Sequence, residues 1–225
     1  MKRYFALIAL VLAIGKLGIA QPNNEISLPH FDKLRVTNQI KVYLTKGDNE
    51  KASVVAKGIA IEDVITEVTG KTLEITLKRG VYKDISVEVY LTYNELRDIY
   101  VSGSGRVSFQ GILVGDKVVM NASNGEIDAK VDLRTLDASA SKGGSIRLDG
   151  KLGSYEAKIS TGGVLSALDL QADSVFIKVN TKGIAKIIAK ELLDADIKTG
   201  ATLTLSGTPN KKNIKSGIGV TILEQ

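Results

Sequence analysis

The residue types able to do chemistry in this 225-residue chain are few and scattered. There is one histidine, His30, between Pro29 and Phe31, and there is no cysteine. A lone histidine without a second histidine, a thiol or nearby clustered acids cannot complete a serine–histidine–aspartate triad or close a metal ligand set, so His30 reads as a surface residue. The lack of cysteine also excludes disulfides, thiolate metal sites and a lipid anchor on cysteine. Serines and lysines abound, Ser141-Lys142 among them, yet nothing sets one pair apart as an activated nucleophile and its base. The acids that alternation turns outward, Asp128, Asp137, Asp149, Glu156 and Asp169, are spread along the chain and mostly flanked by Lys or Arg. Enzymes that cleave acidic polysaccharides gather such acids around calcium or the scissile bond. The residues therefore point to no enzyme, with no catalytic, cofactor-binding or metal-binding residues and no cofactor.

Aromatic side chains are the next candidates, because they stack on ligands such as sugars. The chain has no tryptophan, and four of its seven tyrosines, Tyr82, Tyr90, Tyr93 and Tyr100, lie near one another in sequence. They are the best candidates for a contact surface; the competing reading is that they cover the end of a sheet. Asn121-Ala122-Ser123 fits the N-glycosylation pattern, but Ala122 belongs to an inward-facing series described below, which argues for chance.

What must position these residues is a repeat. From about residue 97 the chain alternates short strands with Gly/Ser/Asn/Lys turns, and the last apolar residues of successive strand cores are Val101, Ala122, Ala140, Ile159, Val179 and Ile197. Their spacings of 21, 18, 19, 20 and 18 are those of a solenoid wound one coil at a time, with about 19 residues per coil. Within a segment such as Val175-Phe176-Ile177-Lys178-Val179-Asn180 the polarity alternates with period two, so the segments are strands with one apolar face. Stacked at roughly 4.8 Å, the coils superimpose equivalent side chains. The predicted inward columns are Val118, Leu136, Tyr155, Val175, Leu193; Met120, Ala138, Ala157, Ile177, Ala195; and the Val101 to Ile197 series above. A second apolar stretch after each turn, such as Ile127 to Val131 or Ile146 to Leu148, makes a second wall.

The turns, for example Ser141-Lys142-Gly143-Gly144 and Ser160-Thr161-Gly162-Gly163, recur at one corner, where glycine is expected to supply positive φ. None has the Lys-Ser/Thr or the strand-to-helix context of a phosphate loop, so they are structural.

Residues 26–95 alternate less regularly: strands are expected around Leu34–Val36, Ile40–Leu44, Leu73–Leu77 and Ile85–Leu91, with turns at 46–49, 68–71 and 79–84. The β-branched content of Ala60–Val68 favours a strand or irregular crossover over a helical turn. No Pro/Gly/Ser linker separates this half from residues 96–225, so residues 21–225 are expected to form one body whose first coils cap its end. Residues 1–20, with Lys2 and Arg3 before an apolar run from Tyr4 to Ile14 and small residues before Gln21, read as a secretory signal peptide. Lys16 departs from that pattern, and an uncleaved anchor is the alternative, although the run is short for a transmembrane helix. Lys2, Arg3 and Lys16 lie in this segment without any acid, so of the formal charge of +5 about +2 remains on the rest. Lysines there interleave with acids, which argues against a nucleic-acid partner.

The run Ile85-Ser86-Val87-Glu88-Val89-Tyr90-Leu91-Thr92-Tyr93-Asn94-Glu95-Leu96-Arg97-Asp98-Ile99-Tyr100-Val101-Ser102-Gly103-Ser104-Gly105-Arg106-Val107 resembles the putative autotransporter adhesin, head GIN domain family. So do the early Phe31-Asp32-Lys33-Leu34-Arg35-Val36 and the late Leu205-Ser206-Gly207-Thr208-Pro209 with Ile214 to Val220. The Ser-Gly-Ser-Gly after an extended strand is the most specific mark, and Tyr93-Asn94 stands where the family often has a proline. The resemblance implies a right-handed parallel β-helix-like fold in exported proteins of double-membraned bacteria, in the periplasm or on the cell surface, with no established catalytic or ligand residues. Asp173-Ser174-Val175 also looks like an O-glycosylation sequence used by some bacteria that carry the family. The 225 residues leave no room for a translocator barrel after the repeats, so self-export across an outer membrane is not expected.

These features together predict a non-enzymatic exported β-solenoid, an adhesin-like or envelope binding module presenting a flat repetitive wall to an envelope component, a glycan or another cell-surface molecule. A self-associating envelope scaffold, a homo-oligomer stacked end to end, is the alternative; Lys211, Lys212 and Lys215 near the C-terminus would discourage it. A polysaccharide lyase or hydrolase ranks third.

Overall fold

The computed structural model describes residues 25–225, so the signal peptide expected over residues 1–20 lies outside the described residues. The less regular half comprises β1 (Glu25–Ser27), β2 (Lys33–Val36), β3 (Ile40–Lys46), β4 (Lys51–Lys57), β5 (Val64–Thr69), β6 (Thr72–Leu77), β7 (Ser86–Tyr93) and β8 (Asp98–Ser102). Four long strands that each bend round a coil follow: β9 (Arg106–Ser123), β10 (Glu126–Ser141), β11 (Ser145–Ile159) and β12 (Val164–Val179). The later coils are split into β13 (Ile184–Ile188), β14 (Leu192–Ile197), β15 (Thr202–Ser206), β16 (Lys211–Ser216) and β17 (Thr221–Glu224). All belong to one hydrogen-bonded sheet, which is parallel throughout the regular coils.

The three inward columns form as alternation requires. Leu136 lies between Val118 and Tyr155, Ala138 between Met120 and Ala157, and Ala140 between Ala122 and Ile159, and the same registers run on to Leu193, Ala195 and Ile197. No residue of these columns is more than 4% exposed. The second wall carries its own column, Val107, Ile127, Ile146, Leu165, Ala185 and Leu203, within the same apolar core. Burying a Val, Leu or Ile is worth about 1.5–3 kcal/mol. A rung alone buries none, so stacking is what makes these strands stable.

The unequal coil lengths have local causes. The 18-residue step to Ala140 goes with the corner Ser123-Asn124-Gly125, and the 19-residue step to Ile159 with a corner longer by one residue, Ser141 to Gly144. The 20-residue coil adds one bulged residue in β12, where Arg147 and Asp149 face Ser166 and Asp169. The 21-residue coil adds two in β9, where Asp128 and Lys130 face Ser108 and Ile112. Bulges take up the surplus without disturbing the inward columns on either side.

At the corners the expected role of glycine is half right. Gly143 and Gly162 do take positive φ, but Lys142, Thr161, Thr181, Lys182 and Thr199 take it as well. Left-handed backbone costs an L-residue about 1–2 kcal/mol. Corner hydrogen bonds such as Gly143 N–H to Thr161 O and Gly162 N–H to Thr181 O, each 3.1 Å, hold it in place. The glycine that ends these two corners serves a different purpose: a Cβ on Gly144 would lie 2.3 Å from the Ala122 carbonyl oxygen, and one on Gly163 2.3 Å from that of Ala140. These glycines let one rung descend onto the backbone of the rung before it.

The N-terminal half caps the stack, by a route that alternation alone does not reveal. β2 pairs with both β6 and β8, and β3 with both β7 and β9, all parallel. The coil formed by β2 and β3 is therefore sandwiched between the β6–β7 coil outside it and the β8–β9 coil inside, although β7 and β8 are consecutive in sequence. Antiparallel strands close the outer edge: β5 folds back on β6 through Gly70, and β4 lies on β7 with β1 beside it. β4 was not among the expected strands, because Lys51 and Lys57 at its ends and Ser53 within it mask a half-buried segment whose inward residues are Ala52 and Val54. Ala60–Val68 holds the expected strand, β5, but opens with a 3-10 turn at Ile61–Asp63, the helical form that its β-branched content disfavoured. Residues Val68 and Thr69 belong to β5, so the turn there is shorter than the expected 68–71.

At the opposite end, Lys212 follows Leu193 and Glu224 follows Leu205 in inward columns, and their side chains meet at 2.8 Å. An ion pair thus lies in the last described coil, beside the partly buried Ile214 and Ile222.

Candidate functional site

Outward side chains stack in register as faithfully as inward ones. On the wall made by the second halves of the coils, one row runs Tyr100, Asn121, Ser139, Lys158, Lys178, Asp196, and beside it runs Val119, Asp137, Glu156, Phe176, Asp194. Two shallow open hollows lie along these rows. One of about 450 Å3 surrounds Phe176, Lys178 and Asp194, and one of about 280 Å3 surrounds Asn121, Asp137 and Lys158. Phe176 is 42% exposed, an apolar island in a polar field.

The charges on this wall largely satisfy one another. Lys158 lies 3.2 Å from Glu156, Lys117 2.8 Å from Asp137 and Lys198 2.7 Å from Asp196. The acids considered for an enzyme do not gather in one place: Asp137 lies beside Glu156, Asp149 beside Asp169 with Lys130 at 3.6 Å from Asp149, and Asp128 beside Arg147. Among the described residues no group of three or more His, Asp or Glu is placed to hold a metal ion. The displaced carboxyls are displaced the wrong way for a general acid. The hydrogen bond from Arg97 lowers the Glu95 pKa, and that from Arg134 lowers the Asp116 pKa.

The individual candidates are dispersed. His30 Nδ1 is 3.0 Å from Glu50 Oε1, a partly exposed tie holding the segment after β1. Ser141 ends β10 and Lys142 stands in the left-handed corner that follows. The four tyrosines do not form one surface. Tyr93 is buried edge-on against Phe109, with ring centroids 5.8 Å apart, and burial pushes its phenol pKa up to about 12. Tyr82 donates its hydroxyl to the Lys78 carbonyl at 2.9 Å. Tyr100 lies under the Arg35 guanidinium at 4.8 Å, on the wall with Lys158. Tyr90 is on the other wall, stacked on Tyr43 at 5.2 Å. Tyr43 and Phe176 escaped the sequence reading because neither has an aromatic neighbour in sequence; strand pairing and outward alternation are the signals that find them. Ala122 is buried as expected, with Asn121 outward and half-buried, and Ser174 is half-buried inside β12 between Ser154 and Leu192.

The sequence pattern of the "putative auto-transporter adhesin, head GIN domain" family matches residues 30–209. The chain belongs to that family. Solved structures share the head GIN domain's fold. One is described as a putative adhesin from Bacteroides fragilis, with TM-score 0.81 and 18% identity over 90% of this chain and 96% of that one. A putative adhesin from Parabacteroides merdae has TM-score 0.71 and 17% identity over 90% and 95%. A putative lipid binding protein from Parabacteroides distasonis has TM-score 0.67 and 18% identity over 90% and 96%. No curated protein matches the chain. Among the described residues no helix is long and apolar enough to cross a membrane.

Proposed function

We propose that this head GIN domain is a non-enzymatic exported binding module. It engages an envelope component, a glycan or another cell-surface molecule in the periplasm or on the cell surface of a double-membraned bacterium. The observation that carries the reading is the in-register outward rows: Tyr100 to Asp196 and Val119 to Asp194 present polar, charged and aromatic side chains at strand spacing on a rigid ladder, with open hollows in place of an enclosed pocket. Many small contacts repeated along such a ladder add up to useful avidity. The adhesin descriptions of the family and its neighbours, and the lack of converging acids, support the same reading.

The alternative, a self-associating scaffold, draws on β16 and β17, which among the described residues each have a strand partner on one side only. The Lys212–Glu224 pair in that coil opposes it, since stacking another apolar layer there would bury both charges. The test takes the chain without residues 1–20 through a glycan array, a lipid overlay and a pull-down from envelope fractions, with its mass measured over a range of concentrations. Saturable capture by a stable monomer supports the module. Concentration-dependent growth in mass supports the scaffold, and no capture in any arm refutes the module.

A further inference from the structure

The wall opposite Phe176 carries a feature that the flat rows do not. Ser53 of β4, Tyr90 of β7, Tyr43 of β3 and Ser108 of β9 are successive members of one outward column. The two tyrosine rings stack on each other with centroids 5.2 Å apart and planes inclined by 22°, so their faces look along the column. The column has serine at both ends of the pair. A serine is too small to cover a phenol ring, and both rings meet solvent: Tyr43 is half-buried and Tyr90 is 49% exposed.

Tyr43 and Ser108 both line a hollow of about 470 Å3, within the range of small-ligand sites. Gln39, Ser86 and Ser108 supply uncharged hydrogen-bonding groups around it, and Lys41, Arg106 and Glu126 complete the rim. The rim charges are matched: Lys41 is 3.5 Å from Glu88 and Arg106 is 2.5 Å from Glu126, each pair bridging neighbouring strands. An aromatic face beside a charge-balanced rim of donors and acceptors suits a ligand with an apolar C–H face and a ring of hydroxyls. It offers nothing extra to a polyanion or a polycation.

The geometry points to this hollow as a binding site for one or two pyranose rings of a neutral glycan, seated on the Tyr43 ring with Tyr90 as its support. The inference rests on the binding-module reading and gives it a ligand class and a place. A single shallow aromatic seat predicts millimolar dissociation constants, with tighter binding only when several molecules are displayed together.

Saturation-transfer NMR and calorimetry with maltose, cellobiose, mannobiose and N,N′-diacetylchitobiose test it on the chain without residues 1–20. At least one disaccharide is expected to receive saturation on its ring C–H protons. S108Y extends the aromatic column over Tyr43 without removing either tyrosine, and it should weaken binding by about tenfold or more. Y90A should weaken it less, while Y43F and Y90F keep the rings and should bind as the parent does. A panel without any binder, or binding indifferent to S108Y in a variant whose melting profile matches the parent, overturns the site. If the panel fails while the glycan array or the envelope pull-down still reports capture, the hollow falls and the module reading stands. If every arm is silent, both fall.

Discussion

Replacing two adjacent glycines, Gly162 and Gly163, separates the two reasons a corner needs that residue. Gly162 has φ +71 and open space where a Cβ would be, whereas Gly163 has ordinary φ but would place its Cβ 2.3 Å from the Ala140 carbonyl oxygen. G162A therefore incurs only the left-handed penalty, about 1–2 kcal/mol, partly offset by a stiffer unfolded chain. G163A must open the rung by at least about 0.7 Å to reach the 3.0 Å at which real Cβ contacts begin. The bonds at risk, those across the gap to the preceding rung, are Ser160 N–H to Ala140 O at 3.0 Å and Val164 N–H to Gly144 O at 2.9 Å. Two weakened hydrogen bonds at about 0.5–1.5 kcal/mol each, plus about 1–3 kcal/mol of overpacking, less the same stiffening of the unfolded chain, bring the expected loss to about 3 kcal/mol. For about 200 residues that corresponds to a Tm lowered by about 6–12 °C for G163A against about 2–4 °C for G162A. Gly183, whose Cβ would lie 2.9 Å from the Ile159 oxygen, should fall between them, and Ala201 already occupies the equivalent corner position one rung further on. Thermal melts followed by circular dichroism decide the matter. A G162A variant melting at or below G163A would refute the argument that close rung approach, not dihedral freedom, dictates the second glycine.

Other outcomes follow from single features. The Tyr155 hydroxyl is fully buried and has no hydrogen-bond partner among the described residues, so Y155F should leave urea stability unchanged or raise it by about 1 kcal/mol; a loss of more than that would mean the hydroxyl has a partner. Replacing both Lys212 and Glu224 with leucine should convert a concentration-independent monomer into a species whose mass grows with concentration in light scattering, and a doubly substituted monomer would deny the ion pair any part in blocking association. Burial raises the Tyr93 pKa from its ordinary 10 to about 12. Its contribution to stability is therefore complete below about pH 10 and lost as pH rises towards 12, so Y93F should flatten the fall of Tm across that interval. The Asp116 pKa is lowered by Arg134, so in R134Q the Asp116 carboxyl should titrate at higher pH by NMR than in the parent.

The regular coils could be read from the chain because the period of two within strands and about 19 between them fall on the same residues: Ala138, Ala157 and Ile177 are inward by alternation and adjacent by register. The corners were located correctly, but the purpose of Gly144 and Gly163 depends on the height of a neighbouring rung, which no local sequence rule carries. The N-terminal route was hidden for a related reason. Strands β2 and β6 are equally good partners for β8 by pattern, and the choice is made by which of them the antiparallel β5 has already covered. The tyrosines illustrate the limit for sites. Proximity in sequence grouped Tyr90 with Tyr93, yet alternation sends these two, three residues apart, to opposite faces, while Tyr43 comes from another strand altogether.

The interleaved start gives the molecule a direction of assembly. As the polypeptide emerges, the β2–β3 rung has nothing to lie on until β6 and β7 arrive some forty residues later and shut one side with the antiparallel flap formed by β4 and β5. From then on each new winding has a single vacant edge to join, and it joins the winding just laid down. Truncation should be correspondingly lopsided: trimming rungs from the far end shortens the rod one layer at a time, whereas deleting β2 removes the foundation on which layers at both sides rest.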